Sequence, residues 1–283
     1  MDVNKVLKNH FKDFRIIEKL QGGMMNESYL FFADGKNYVL YLPTTQANEM
    51  VDRFLEKQSQ KIVMGIGITS NNFIFDEKTG IKINEYIDGK SLNYVNNIDT
   101  DQIASMLHLL HKGDKTLVEY NPFSRLENII NERKTFVDKF SKEEEKLLNV
   151  VLENRTFLEN EDVVLSHNDF QRSNIILNNE GKYLVIDFEF MANNFETYDI
   201  ACFANNDIND GELLLKSYKK DCIIDEDFKR FYLWRIFISL QWHNVALIKH
   251  FRGEGEKHNI NFLDVSKHFI DNAKLAYEKY KAI

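Results

Sequence analysis

What this 283-residue chain is short of narrows its function before any motif is read. Cysteine occurs twice, at Cys202 and Cys222, with no metal-ligand spacing. A disulfide framework and a zinc cluster are thereby excluded, and two free thiols in a reducing compartment are expected. No run of roughly 18 apolar residues occurs, so no membrane-spanning helix is expected. The opening Met1-Asp2-Val3-Asn4-Lys5 lacks the apolar core of a signal peptide, which makes a cytoplasmic protein the expectation. Basic residues are in the minority: 36 Lys and Arg face 44 Asp and Glu, for a net charge of −8. A nucleic-acid binder needs a broad basic footprint that this balance does not supply, although a local basic pocket for a nucleotide fits it. Internal repeats and low-complexity segments are also missing.

What is present is core-forming material, 43% hydrophobic and 13% aromatic, enough for one large domain or two lobes. The first part of the chain reads as strands. An amphipathic helix at 1–12, with Val3, Val6, Leu7 and Phe11 on one face, precedes strands at 14–20, 29–32 and 36–42. Between the first two strands runs Gln21-Gly22-Gly23-Met24-Met25-Asn26-Glu27-Ser28. Its glycine pair is either a tight turn or a place where backbone N–H groups approach a phosphate. A helix over 46–61 should turn Met50, Phe54 and the stem of Lys57 inward. Strand-like runs at 73–75 and 81–87 end at Asp88-Gly89-Lys90, and beyond them the character becomes helical. Helices are expected at 102–112, behind the cap Thr100-Asp101, and at 123–140, 141–158, 210–218, 227–251 and 265–280. His108 and His111 read as structural. The expected fold class is α+β: a small N-terminal antiparallel sheet lobe over 1–88 and a larger helical lobe over 89–283. A ligand cleft between the lobes would be the natural site.

The densest chemistry lies in Ser166–Asp187, which reads SHNDFQRSNIILNNEGKYLVID. Apolar runs Val163-Val164-Leu165 and Ile175-Ile176-Leu177 flank His167-Asn168-Asp169 and Asn174. Turn residues Asn178-Asn179-Glu180-Gly181 then lead into the strand Tyr183-Leu184-Val185-Ile186, which ends on Asp187. Asp169, Asn174 and Asp187 should converge at the open end of a hairpin. Two carboxylates and an amide oxygen are hard donors suited to Mg²⁺ that keeps some water. Phosphoryl transfer needs that set: one carboxylate to orient a hydroxyl, and metal to hold phosphates.

These residues resemble the protein-kinase-like phosphotransferases of small molecules, and within them the choline/ethanolamine kinase family, bacterial members above all. The likeness covers nearly the whole chain. It runs through Leu20–Tyr29, Asp52-Arg53 with Glu56, and Gly80–Ile87, and is most specific in His167–Asn174, Ile186–Asn194 and Tyr198-Asp199-Ile200-Ala201. The resemblance implies a protein-kinase-like two-lobed fold that transfers phosphate from ATP, with Mg²⁺, to a small amino alcohol, most simply choline. Asp169 would accept or orient the hydroxyl proton, with His167 beside it. Asn174 and Asp187 would hold Mg²⁺. Gly22, Gly23, Asn26 and Ser28 would cover the nucleotide phosphates, Glu56 would anchor a cation, and Glu85 and Tyr86 would meet the adenine. Asp199 would brace the loop through its backbone or His167. Glu189, Asn206, Trp242 and Tyr277 would surround the substrate, and a homodimer is common in such proteins.

Three departures stand out. Tyr41 occupies the third-strand place where a Lys or Arg reaches the phosphates; Lys36, Arg53 and Arg172 are the candidates to replace it. The second tryptophan of the ammonium cage is Val245, with Trp234 two turns before Trp242. Asn206 stands where the family has Glu, and Phe190 where Tyr is frequent. The competing readings are an ethanolamine kinase, an aminoglycoside-type kinase, and a non-catalytic nucleotide-binding relative, the last resting on Tyr41.

Overall fold

The computed structural model describes residues 2–20, 26–44, 47, 51–258 and 260–283. Two compact units are present: Met1–Ile98 with Ser173–Met191, and Asp99–Arg172 with Ala192–Ile283.

The first unit is a five-stranded antiparallel sheet in the order β1-β2-β3-β5-β4. Its strands are β1 (Phe14–Leu20), β2 (Asn26–Ala33), β3 (Lys36–Pro43), β4 (Asn72–Phe75) and β5 (Lys82–Glu85). Asp34 and Gly35, at φ of 46° and 80°, turn β2 into β3 as a two-residue hairpin with left-handed centres requires. Val6 and Leu7 of helix α1 (Val3–Lys8), with Phe11 just beyond it, pack with Phe31, Tyr38, Leu40 and Ile83 of the sheet. Each such buried side chain contributes about 1.5–3 kcal/mol.

Helix α2 (Arg53–Ile66) starts where the Asp52 carboxylate accepts the N–H groups of Phe54 and Leu55, and stops at Gly67 with φ of 78°. Of the expected inward face, Met50 lies outside the described residues and Phe54 turns outward. Phe54 is 51% exposed, and the buried residues are Arg53, Glu56, Ser59, Gln60 and Val63. The helix turns a polar stripe inward because the strand it meets offers polar partners, among them Lys82 and Asn84.

A second, three-stranded sheet explains why the units do not divide at residue 88. Gly89-Lys90, where the strand-like runs were expected to end, begin strand β6 (Gly89–Ser91), which pairs with β8 (Ile175–Asn178), itself paired with β9 (Tyr183–Val185). Gly89 is needed at this pairing, since a Cβ there would strike the backbone oxygen of Leu177. Ile68 O accepts the N–H of Val185 at 2.8 Å and Thr69 Oγ1 donates to Val185 O at 2.7 Å. The hairpin thus belongs to the first unit.

The second unit is helical around one short antiparallel pair, β7 (Val163–Ser166) with β10 (Ala192–Phe195). Its helices are α3 (Thr100–His111), α4 (Pro122–Lys134), α5 (Lys142–Glu153), α6 (Arg155–Glu159), α7 (Glu196–Phe203), α8 (Ile208–Lys219), α9 (Asp225–Phe251), α10 (Glu254–His258) and α11 (Phe262–Lys281). The expected helix over 123–140 ends at Lys134, and that over 141–158 breaks at Asn154. Helix α9 forms the centre: Phe231, Trp234 and Phe237 are fully buried. Among the described residues no helix is long and apolar enough to cross a membrane.

Candidate active site

In the second unit, β7 delivers Ser166 and a tight loop follows. Asn168 adopts the left-handed region at φ of 65°, unusual for a residue with a side chain. The surroundings hold it there. Its Nδ2 donates to Ser166 O and Ala192 O, each at 3.3 Å, and its Oδ1 accepts from Asn194 Nδ2 at 2.7 Å. Asp199, fully buried on α7, accepts the N–H of His167 on Oδ2 and that of Asn168 on Oδ1, both at 2.8 Å. His111 Nε2 lies 3.3 Å from the same Oδ2, and its Nδ1 lies 2.7 Å from the Tyr218 hydroxyl. His167 is fully buried and its Nδ1 accepts the N–H of Asp169 at 3.3 Å. In that place its ring shapes the loop that carries Asp169.

Asp169 is the half-buried residue of this otherwise buried run 165–170. Gln171 Nε2 donates to both of its carboxylate oxygens at 3.0 Å. Gln171 Oε1 in turn accepts from Asn205 Nδ2 at 3.2 Å, and Asn205 Oδ1 accepts from Arg235 Nη1 at 2.6 Å. Arg235 is buried on α9 and also donates to Ala201 O and Ser239 Oγ, each at 2.8 Å. Burial pulls its guanidinium down to about 10, so it is still charged at neutral pH. A buried cation therefore feeds two side-chain amides that end on Asp169. The sequence reading missed this relay, whose members lie far apart in the chain.

In the first unit, β8 and β9 pair Ile175 with Val185, and Asn174 O accepts the N–H of Ile186 at 2.9 Å. The residues that flank these pairings, Asn174 and Asp187, thus stand at the same open end of the hairpin. Asp187 is left-handed at φ of 68°. An amide oxygen and a carboxylate at one hairpin end fit Mg²⁺, which usually takes one or two carboxylates and completes its shell with phosphate oxygens and water. Among the described residues no group of three His, Cys, Asp or Glu is placed to hold a metal.

Asp187 also lines a pocket with Tyr41, Glu56, Gln60, Lys82, Asn84 and Phe188. The sheet register aligns Ser28 of β2 with Tyr41 of β3, and Tyr41 with Lys82 of β5. Burial, and then the Asp187 carboxylate, push the Tyr41 phenol well up, so it is a neutral hydroxyl. Lys82 is 5% exposed and its ammonium is ion-paired with Glu56 Oε1. Its Nζ lies 5.3 Å from the centroid of the Tyr41 ring. Arg53 Nη1 binds the other Glu56 oxygen at 2.6 Å. The other two expected replacement cations are engaged elsewhere: Lys36 pairs with Glu85 at 2.7 Å, and Arg172 with Asp210 at 2.9 Å.

The remaining expected residues fare unevenly. Gly22 and Gly23 lie outside the described residues. Asn26 is buried at the start of β2, and its Oδ1 has no hydrogen-bond partner among the described residues. The connector donors are used within the sheet: Glu85 N–H bonds Asn71 O at 2.9 Å and Tyr86 N–H bonds Asn37 O at 3.0 Å. Glu189 is half-buried two residues beyond Asp187, and Asn206 is exposed beside the inward-facing Asn205. Trp242 is partly exposed and stacks with Phe269 at 6.3 Å. Helix α11 runs antiparallel to α9, as the contacts Trp242–Phe269 and Lys279–Tyr232 show. Tyr277 therefore sits about 12 Å further along α11 than Phe269, at 1.5 Å per residue. Its ring meets Lys146 and Lys281 instead. Trp234 is core, fully buried against Phe195, Tyr198 and Phe237.

The family model for choline/ethanolamine kinases matches residues 17–225. The protein LicA of Haemophilus influenzae is 23% identical over 192 residues, 64% of this chain and 55% of that protein. The chain thus spans just over half the length of that curated relative. The structure of the choline kinase LicA from Streptococcus pneumoniae superposes with a TM-score of 0.74 at 20% identity, over 99% of this chain and 97% of that one. A LicA structure in complex with AMP gives 0.76 at 20% identity, over 99% and 96%. At such identity the structures establish the fold, a protein-kinase-like α+β architecture. With the family model matching well over half of its length, this chain belongs to the choline/ethanolamine kinase family, a family of small-molecule kinases.

Proposed function

We propose that this protein transfers the γ-phosphoryl group of ATP, with Mg²⁺, to the hydroxyl of a small amino alcohol, choline first among them. The observation that carries the reading is Asp169. The two residues before it are fixed by Asp199, and both of its oxygens are held by Gln171. A carboxylate so held, yet still half-buried rather than enclosed, can accept the proton of a substrate hydroxyl as that oxygen attacks phosphorus. Asn174 and Asp187 would hold Mg²⁺, which when bound neutralises the phosphate oxygens and orients the transferred group. Ser28, on the face of the sheet that carries Tyr41 and Lys82, would lie over the phosphates. The family match and the LicA likenesses support nucleotide and amino alcohol as the substrate classes.

One observation favours ethanolamine as a second reading. Trp242 has Phe269 for an aromatic neighbour, Trp234 is committed to the core, and Val245 supplies no ring. A cage of several aromatic faces is what a quaternary ammonium gains from.

The test is ADP release from Mg²⁺·ATP in the presence of choline, ethanolamine or aminoglycosides. Turnover with an amino alcohol is expected. Turnover confined to aminoglycosides, or none at all, would overturn the proposal.

A further inference from the structure

We propose that Lys82 of β5 is the phosphate-contacting cation of this kinase, moved one strand over from the β3 position that Tyr41 now fills. The inference rests on the phosphotransferase reading and specifies how its nucleotide site is built. In protein-kinase-like folds a β3 lysine, ion-paired with a glutamate of the neighbouring helix, contacts the nucleotide phosphates. Here the glutamate is present as Glu56 and the β3 lysine is not. Tyr41 cannot serve, because a phenol supplies no positive charge.

Lys82 meets every geometric requirement of the missing group. It pairs directly with Tyr41 in the β3–β5 register, so the two side chains leave the same face of the sheet. Adjacent strands lie about 4.8 Å apart, a distance that a lysine's four-carbon stem spans. Its Nζ reaches back over the Tyr41 ring, 5.3 Å from the centroid, and is ion-paired with Glu56. It lines one pocket with Asp187, the carboxylate expected to hold the metal. A cation and a metal ligand that line one pocket would both meet the same phosphate chain.

Arg53 does not compete for this role. It completes the Glu56 carboxylate from the helix side at 2.6 Å, which leaves Glu56 bound to two cations. Lys82 can then swing toward phosphate without leaving the buried Glu56 carboxylate unpaired. The tyrosine ring gives the ammonium an apolar, electron-rich wall. Tyr41 and Lys82 are thus two parts of one arrangement: the tyrosine fills the vacated β3 place and steers the lysine that replaces it.

Two measurements test this. In the wild-type protein, an acyl-phosphate derivative of ATP, which acylates lysines beside the phosphates, should label Lys82, and excess Mg²⁺·ATP should protect it. Peptide mass spectrometry reads the site. Labelling of Lys36 or another lysine with Lys82 unmodified would overturn the assignment, whether or not an acceptor alcohol is known. The second is a rescue. Lys82→Met should lower kcat/KM for ATP by roughly 100-fold, and Tyr41→Lys in that background should recover at least roughly tenfold by restoring the β3 cation. A folded Lys82→Met protein within about threefold of wild type in kcat/KM would overturn the proposal while leaving the phosphotransferase reading intact. If Lys82→Met does not fold, the wild-type labelling decides alone. Absence of turnover with any alcohol would count against the function, and absence of protected labelling at Lys82 against this inference.

Discussion

The carboxylate of Asp199 accepts the main-chain N–H of Asn168 at 2.8 Å, and so fixes the residue immediately before Asp169. Its other oxygen takes the N–H of His167 at the same distance. Both are charge-assisted bonds in a fully buried place, where such bonds contribute about 1.5–3 kcal/mol each. Asp199→Asn can accept one of the two N–H groups and turns an NH₂ toward the other. We predict a loss of about 3 kcal/mol in unfolding free energy, read from urea denaturation, together with a sharp fall in kcat. A loss under about 1 kcal/mol would contradict the brace.

The Arg235–Asn205–Gln171 relay predicts a split between kinetic constants. Gln171→Ala frees the Asp169 carboxylate to rotate away from a substrate hydroxyl but leaves the first unit untouched. kcat should fall by roughly 10- to 100-fold, with KM for ATP nearly unchanged. Asn205→Ala should reproduce the direction with a smaller effect, since it acts through Gln171. A rise in KM for ATP at constant kcat would show that the relay does not orient the base.

Glu161 predicts a pH dependence of stability. Burial pushes its carboxyl up to about 7 from the ordinary 4.5, against the hydrogen bonds from Thr197. The folded state therefore binds this proton more tightly than the unfolded chain does. The associated stabilisation is complete below about pH 4.5 and is lost as pH rises through about 7. The gap corresponds to about 3 kcal/mol. Glu161→Gln, which cannot ionise, should gain stability over wild type as pH rises from 5 to 8. Urea midpoints across that range check it, and a constant difference between the proteins would contradict it.

On the substrate side, Trp242→Ala should raise KM for choline by roughly 2- to 30-fold, the range that one cation–π contact supports, and leave KM for ATP alone. Val245 lies three residues on, about one helical turn, and like Trp242 is partly exposed. Val245→Trp should therefore improve choline relative to ethanolamine. Equal changes for choline and ATP in Trp242→Ala would remove the cage from the account.

How much of this could be read from sequence follows from the range of the interactions. Asn174 and Asp187 are legible as one hairpin end because a turn between two apolar runs sets the pairing of Ile175 with Val185. The brace by Asp199 was legible through the family pattern. Lys82 was not, because Ile81-Lys82-Ile83 reads as an ordinary alternating strand until the β3–β5 register sets it beside Tyr41. The same limit hid the inward polar stripe of α2, where Phe54 appeared the better core residue but Glu56 and Gln60 had partners on a strand. Glu85 and Tyr86 were expected to meet the adenine. That their N–H groups are engaged by Asn71 and Asn37 depends on pairings that no local pattern encodes. Trp234 shows the converse: helix position alone could not separate a pocket wall from the centre of the core.

The central claim is that Asp169 acts on the substrate hydroxyl and not on the nucleotide. Its most direct measurement compares wild type with Asp169→Asn for phosphorylated amino alcohol formed, by mass spectrometry, and for Mg²⁺·ATP affinity, by calorimetry. The account predicts a fall in product formation of at least roughly 100-fold with ATP affinity nearly unchanged. Product formation at the wild-type rate in Asp169→Asn would contradict it.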